Sequence, residues 1–389
     1  MNLTVKLPTL QCTLEHYRIQ GNPLDVVAPS RPFNRIAYSA AHVVADPLNA
    51  TDLGSRPAID WKKTIEYRRY LLGQGLGIAE AMDTAQRGMG LPWESALELV
   101  ARTLAETSDI PGALIASGCG TDHLPASAAN TCDDVIRAYA TQIEAIQRTG
   151  SRIILMASRA LAKVARTPAD YRRVYGEVLS MCDQPVILHW LGEAFDPELA
   201  GYWGASTFAE AAEVCLGIIA SNAHKVDGIK ISLLDEAKEI SFRRRLPASV
   251  KMYTGDDFNY PSLIAGDEAG YSHALLGIFD AIAPAASQAL AALAANDYRK
   301  YDALLAPTVP LSRHIFRAPT QYYKTGIVFL AFLNGFQDHF FMLAGHHGMR
   351  SPAYLAEVFR LSDQAGLLRD PEDAVRRIGL VMSGLGCAQ

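Results

Sequence analysis

In VDGIKISLLDE (Val226–Glu236) a lysine, Lys230, stands between isoleucines in a run with the composition of a buried strand. An ammonium in such a strand is rare unless it is paired or put to use. A polar, helix-forming segment follows, LDEAKEISFRRRL (Leu234–Leu246), so the unit is a strand feeding a helix. The same unit recurs on both sides. Upstream strand candidates are NRIAYSAAHV (Asn34–Val43), GIAEAMDT (Gly77–Thr84), GALIASG (Gly112–Gly118), RIILMAS (Arg152–Ser158) and PVILHW (Pro185–Trp190). Downstream are VKMYTG (Val250–Gly255) and GYSHALLG (Gly270–Gly277). Helical patterns separate them, several with N-terminal signals such as Asp60, Pro92 and Thr167-Pro168.

The strand candidates are short, continuous apolar runs, as expected of a parallel sheet buried on both faces. Eight such units point to a TIM (β/α)8 barrel, with a doubly wound sheet as the alternative. LTVKLP and QCTLEHYRI alternate around Pro8 and predict an N-terminal β-hairpin. After Asn296 only helical spacing remains, which predicts a C-terminal helical extension. The expected division is 1–30 hairpin and loop, 31–295 barrel and 296–389 extension.

Composition narrows the function. The 389 residues are 49% hydrophobic and 20% charged, with a net charge of −5. These are the proportions of an ordinary α/β enzyme. FRRRLP (Phe242–Pro247) is too short a basic cluster to predict nucleic-acid binding. The N-terminus lacks the apolar core of a signal peptide, and no segment has about 20 uninterrupted apolar residues. TGIVFLAFLNGF (Thr325–Phe336) reads as a buried helix. The six cysteines show no CxxC spacing, so reduced thiols in a cytoplasmic protein are expected.

In a TIM barrel the chemistry lies at the C-terminal strand ends. Those ends carry His42, Asp83 and Thr84, Ser117 and Cys119, Ser158 and Arg159, His189, Lys230 and Ser232, Asp256 and Asp257, and His273. A lysine desolvated in the barrel mouth loses basicity, and a neutral amine can condense with a carbonyl. The bland alternative turns Lys230 outward, paired with Asp227 or Glu236.

GIKIS, YTGDDFNYPSLIAG and GYSHALLG together resemble the dihydrodipicolinate synthase / N-acetylneuraminate lyase family, as a divergent subfamily known mainly as a domain of unknown function. The resemblance spans about Asn34 to Gly335 and is most specific from the sixth to the eighth strand. It implies that Lys230 is the Schiff-base lysine and that Gly255, Asp256 and Asp257 match the family's Gly-Asp-Asp. PVILHW falls on a Pro-Val-Ile-Leu-Tyr pattern. The implied activity is a class I aldolase-type lyase or dehydratase acting on a small polar oxo compound, such as a sugar-derived keto acid. It needs no metal or organic cofactor. A homo-oligomer, dimer or tetramer, is also implied.

Two departures stand out. Where the family holds the substrate carboxylate on a Thr-Thr-Gly-Glu loop, this chain has MDTAQRG (Met82–Gly88). Thr84 matches, but Asp83 would repel a carboxylate. After the fourth strand the family's proton-relay tyrosine is missing, and Arg159 is the nearest polar residue, which cannot shuttle protons at neutral pH. His189 is the expected substitute acid–base group. The expected site is thus Lys230 and His189 as catalytic residues, with Asp83, Thr84, Asp256, Asp257, His273 and His42 contacting substrate. A metal-dependent aldolase or isomerase, and a non-catalytic ligand-binding barrel, are the alternatives. QDHFFMLAGHHG (Gln337–Gly348) gathers three histidines and an aspartate without a recognised metal spacing, and Cys119 lacks an identifiable base.

Overall fold

The computed structural model describes residues 3–29, 31–49 and 56–387. Two antiparallel strands, β1 (Thr4–Pro8) and β2 (Leu14–Arg18), form the N-terminal hairpin. The next eight are parallel: β3 (Ala37–Ala40), β4 (Gly77–Glu80), β5 (Ile115–Cys119), β6 (Arg152–Leu155), β7 (Val186–Leu191), β8 (Val226–Ser232), β9 (Lys251–Thr254) and β10 (His273–Leu276). Each pairs with its sequence neighbours, and β10 returns to β3, which closes the barrel. The eight-fold alternation in the sequence is therefore a TIM barrel and not an open sheet.

Capping fixes where the outer helices begin. Asp60 accepts the backbone N–H of Lys63 to open helix Trp61–Gly73, and Thr207 does the same for Phe208–Ser221. Thr131 and Thr167 each form a capping box with an aspartate three residues on. Between helices and strands lies an apolar layer that includes Leu99, Ile143, Trp190, Trp203 and Ile229. Inside the barrel a smaller cluster is filled by Tyr38, Ala79, Ala116, Ile154, Ile187, Tyr253 and Leu275.

The second strand is shorter than its sequence pattern, ending at Glu80 rather than running on to Thr84. Glu80 faces the helix layer, where Arg68 binds both carboxylate oxygens at 2.9 Å and Thr103 donates to one at 2.6 Å. The chain then turns through Ala81 at φ 52, a left-handed conformation costly for a side chain, into the short helical turn Asp83–Ala85. That turn aims residues 83 and 84 across the barrel mouth.

Beyond the barrel, helices Tyr298–Leu305, Thr308–Ile315, Tyr323–Leu333, Pro352–Gln364 and Pro371–Gly384 pack against the helix Ala283–Ala294 and one another in a continuous apolar cluster. The hairpin docks on this extension. Tyr17 donates its hydroxyl to Asp363 at 2.7 Å, and the backbone N–H of Gln20 reaches the same carboxylate at 2.8 Å. Helix Tyr323–Leu333 is buried on every side, which explains its apolar run from Gly326 to Leu333. Among the described residues no helix is long and apolar enough to cross a membrane.

Candidate active site

Register settles which way Lys230 points. It stands beside His189 on β7 and Tyr253 on β9, and side chains at paired positions share a face of the sheet. Tyr253 belongs to the interior cluster, so Lys230 and His189 also point into the barrel. The outward, ion-paired placement is thereby set aside. Asp227 instead binds Lys251 at 2.7 Å. Gly255 makes room for the lysine stem, because a Cβ there would fall 2.7 Å from Lys230 Cε and 2.2 Å from Ser232 Oγ.

Lys230 is 7% exposed, and its ammonium forms no hydrogen bond or ion pair among the described residues. Burial lowers its pKa, opposed by the nearby charges of Asp83 and Asp257. Burial also pulls the His189 pKa well below the usual histidine value, and the positive field of Lys230 adds to this. His189 is therefore a neutral imidazole, with Nε2 3.2 Å from the hydroxyl of Ser232. Asp257 is buried beside them, its carboxyl pushed up to about 7 mainly by desolvation. One of its oxygens accepts the backbone N–H of Ile278 at 2.9 Å, tying the β9 and β10 loops together.

A cavity of 360 Å³ opens at this end of the barrel. Asp83, Met156, Arg159, His189, Leu191 and Phe195 form part of its wall, joined by Gln321, Tyr323 and Lys324 from the C-terminal extension. Lys230 lies level with His189 on the neighbouring strand but is not itself a wall residue. Thr84 is fully buried behind the wall, and its hydroxyl meets that of Tyr323 at 2.7 Å. Burial and the charge of Asp83 raise the Tyr323 pKa well above the ordinary tyrosine value, so its proton stays in place.

Three expected substrate contacts lie elsewhere. The His42 ring is held by Asp280 at 2.9 Å and packs on Tyr67, in the layer between β3 and the helices. His273 is the first residue of β10, at the opposite barrel end. There it accepts the backbone N–H of Ile36 at 3.0 Å, and its pKa falls to about 4, chiefly through burial. Asp256 folds back on its own turn, accepting the backbone N–H groups of Phe258 and Asn259 at 2.8 and 3.0 Å. His273 and Asp256 are casualties of a sequence reading that sees strand proximity but not side-chain direction. Cys119 is sealed in the core with its thiol pKa pushed up by burial. Asp338, His339 and His347 face a separate groove in the extension. Among the described residues no three His, Cys, Asp or Glu side chains are placed to share a metal ion.

Tyr323 and Lys324 were not anticipated. A signal existed, since YYKT leads directly into the apolar run Gly326–Leu333, the same juxtaposition of polar group and apolar segment that drew attention to Lys230. What no pattern in the sequence reveals is that this helix end lies against the barrel mouth.

Comparison with known proteins agrees with this geometry. Residues 5–387 match the family model described as "Protein of unknown function (DUF993)". No curated protein matches. Among solved structures, dihydrodipicolinate synthase from Aquifex aeolicus is 11% identical, with a TM-score of 0.64, covering 86% of this chain and 99% of that one. YagE, a prophage protein of the dihydrodipicolinic acid synthase family from E. coli K12 in complex with pyruvate, is 14% identical with a TM-score of 0.66, over 86% and 99% of the two chains. A pyruvate complex of the synthase from Acinetobacter baumannii is 16% identical at TM-score 0.62, over 86% and 99%. At these identities the likeness is one of fold. The chain belongs to the DUF993 family and is built on the same barrel fold as these dihydrodipicolinate synthase-family structures.

Proposed function

We propose that this protein is a class I aldolase-type lyase or dehydratase in which Lys230 forms an imine with a small polar oxo compound, such as a sugar-derived keto acid. The observation that carries this reading is the Lys230 amine: buried in the barrel, without hydrogen bond or counter-ion among the described residues, and reduced in basicity by desolvation. A structural lysine would be paired, as Lys251 is with Asp227.

The neutral amine adds to the substrate carbonyl carbon. The carbonyl oxygen takes one proton from the amine nitrogen and one from an acid of the cavity and leaves as water, and the nitrogen, keeping its other proton, becomes an iminium. When the bond between the adjacent carbon and the hydroxyl-bearing carbon beyond it breaks, its electron pair moves into the enamine. The hydroxyl proton passes to a base. His189, held neutral, serves as that base, and the Tyr323–Thr84 hydroxyl pair donates or relays protons on the other wall of the cavity.

The test is borohydride trapping with pyruvate and a panel of 2-oxo sugar acids, read by mass spectrometry. A reduced adduct mapped to Lys230 is the expected result. Turnover that is abolished by a chelator and leaves no adduct would replace the imine reading with the metal-dependent one.

A further inference from the structure

Lys324 is 2% exposed, and its ammonium meets the carbonyl oxygen of Gln321 at 3.0 Å, the sulfur of Met89 at 3.2 Å and the face of the Tyr323 ring at 5.1 Å, all of them uncharged groups. No carboxylate of the described residues lies within ion-pair distance. It also stands in the first turn of helix Tyr323–Leu333, where the helix dipole disfavours a cation. Burial, a missing counter-ion and the wrong helix end are three separate costs, offset only in part by the Tyr323 ring and the more distant charges of Asp83 and Asp196. The side chain nonetheless forms part of the cavity wall, on the side shared with Arg159. Arg159 is already engaged, its Nε 2.6 Å from Asp196 and its Nη1 3.4 Å from Glu198. Arg87, another wall cation, is paired with Asp122 at 2.7 Å. Lys324 is the wall cation whose counter-charge is absent among the described residues.

We infer that Lys324 is an anion subsite of the cavity, contributed by the C-terminal extension, and that the substrate carries a carboxylate or phosphate group seated against it. The inference deepens the imine reading by naming the charge of the substrate. It also addresses Asp83, whose carboxylate shares the cavity and whose field is felt by both Lys230 and Lys324. A negative substrate could not bind beside Asp83 unless an unspent cation faced it. Lys324 has that role.

The experiment measures binding by calorimetry in the Lys230→Met variant, which cannot form an imine, so that the subsite is read independently of the proposed chemistry. Two matched pairs serve as probes: pyruvate against pyruvamide, and dihydroxyacetone phosphate against dihydroxyacetone. Within at least one pair the charged member is expected to bind about 10- to 100-fold tighter. Adding Lys324→Met should erase that preference and leave the affinity of the uncharged member unchanged. Lys324→Arg should retain it, and Lys324→Gln replaces the methionine variant if the latter fails to fold. The responding pair assigns the subsite to carboxylate or to phosphate. Equal affinities within both pairs, or a preference that survives the loss of Lys324, would overturn the inference. Borohydride trapping on the wild-type chain is scored separately. An adduct without charge preference retires the subsite alone, and charge preference without any adduct retires the imine alone.

Discussion

The two ends of this barrel hold similar groups in opposite conditions. At the N-terminal end, Asp227 accepts from Lys251 at 2.7 Å and from the Tyr253 hydroxyl at 2.7 Å, and His273 accepts a backbone N–H. Each of these groups has a partner, and the cluster is explained by stability. At the C-terminal end, among the described residues, Lys230 has no hydrogen-bond or ion-pair partner, Lys324 has no counter-ion, and His189 makes one 3.2 Å contact. Fully satisfied polar networks hold a fold in place, whereas a buried charge left unpaired is retained against its cost. The difference supports the proposed site at the mouth without reference to any relative.

The largest expected effect comes from removing the amine. Lys230→Met should lower turnover by about 10³-fold or more, with a melting temperature unchanged or slightly raised, because an unpaired buried amine has gone. Lys230→Arg should be equally inactive, since guanidinium stays protonated. Full activity in the methionine variant would erase the contrast between the two ends. Next in size is Tyr323→Phe, which keeps the ring and removes the hydroxyl that meets Thr84. A fall of about 10²-fold in kcat with KM little changed is expected of a lost proton donor. An effect confined to KM would make Tyr323 a binding group.

The opposite end should respond in stability only. Asp227→Asn weakens the contacts to Lys251 and Tyr253 and should cost about 1–2 kcal/mol in denaturant unfolding. The kcat per folded molecule should not move, and a loss of turnover matching that of Tyr323→Phe would refute the division of labour. A separate effect, on stability against pH, concerns Glu239, buried behind β9 with its pKa raised to about 8 by desolvation. Between its unfolded value near 4.5 and 8, the unfolded chain releases a proton that the folded chain keeps, so stability falls as pH rises across that window. Glu239→Gln preserves the contacts to Ser272 and Thr254 and should flatten the fall, as urea midpoints between pH 5 and pH 8 would reveal.

Much of the architecture is local information. Short apolar runs alternating with amphipathic segments state a parallel barrel, because each strand must be buried on both faces and each helix on one. Lys230 was legible for the same reason, since a charge inside such a run contradicts its surroundings. His189 and Asp83 follow as neighbours at strand ends. Position along a strand does not give the direction of a side chain once the strand has ended. Asp83 therefore reaches the cavity while Asp256 turns back on its own loop, and His42 slides behind its strand to Asp280. Tyr323 and Lys324 lie more than 90 positions beyond Lys230 in the chain, on a helix whose sequence states only that it is buried. Which surface buries it is a long-range packing outcome. By itself the sequence determined a barrel with a lysine that had to be explained; only the tertiary structure decided that the C-terminal extension completes the wall around it, because a cavity is made by segments that meet in space and leave no periodic trace in the chain.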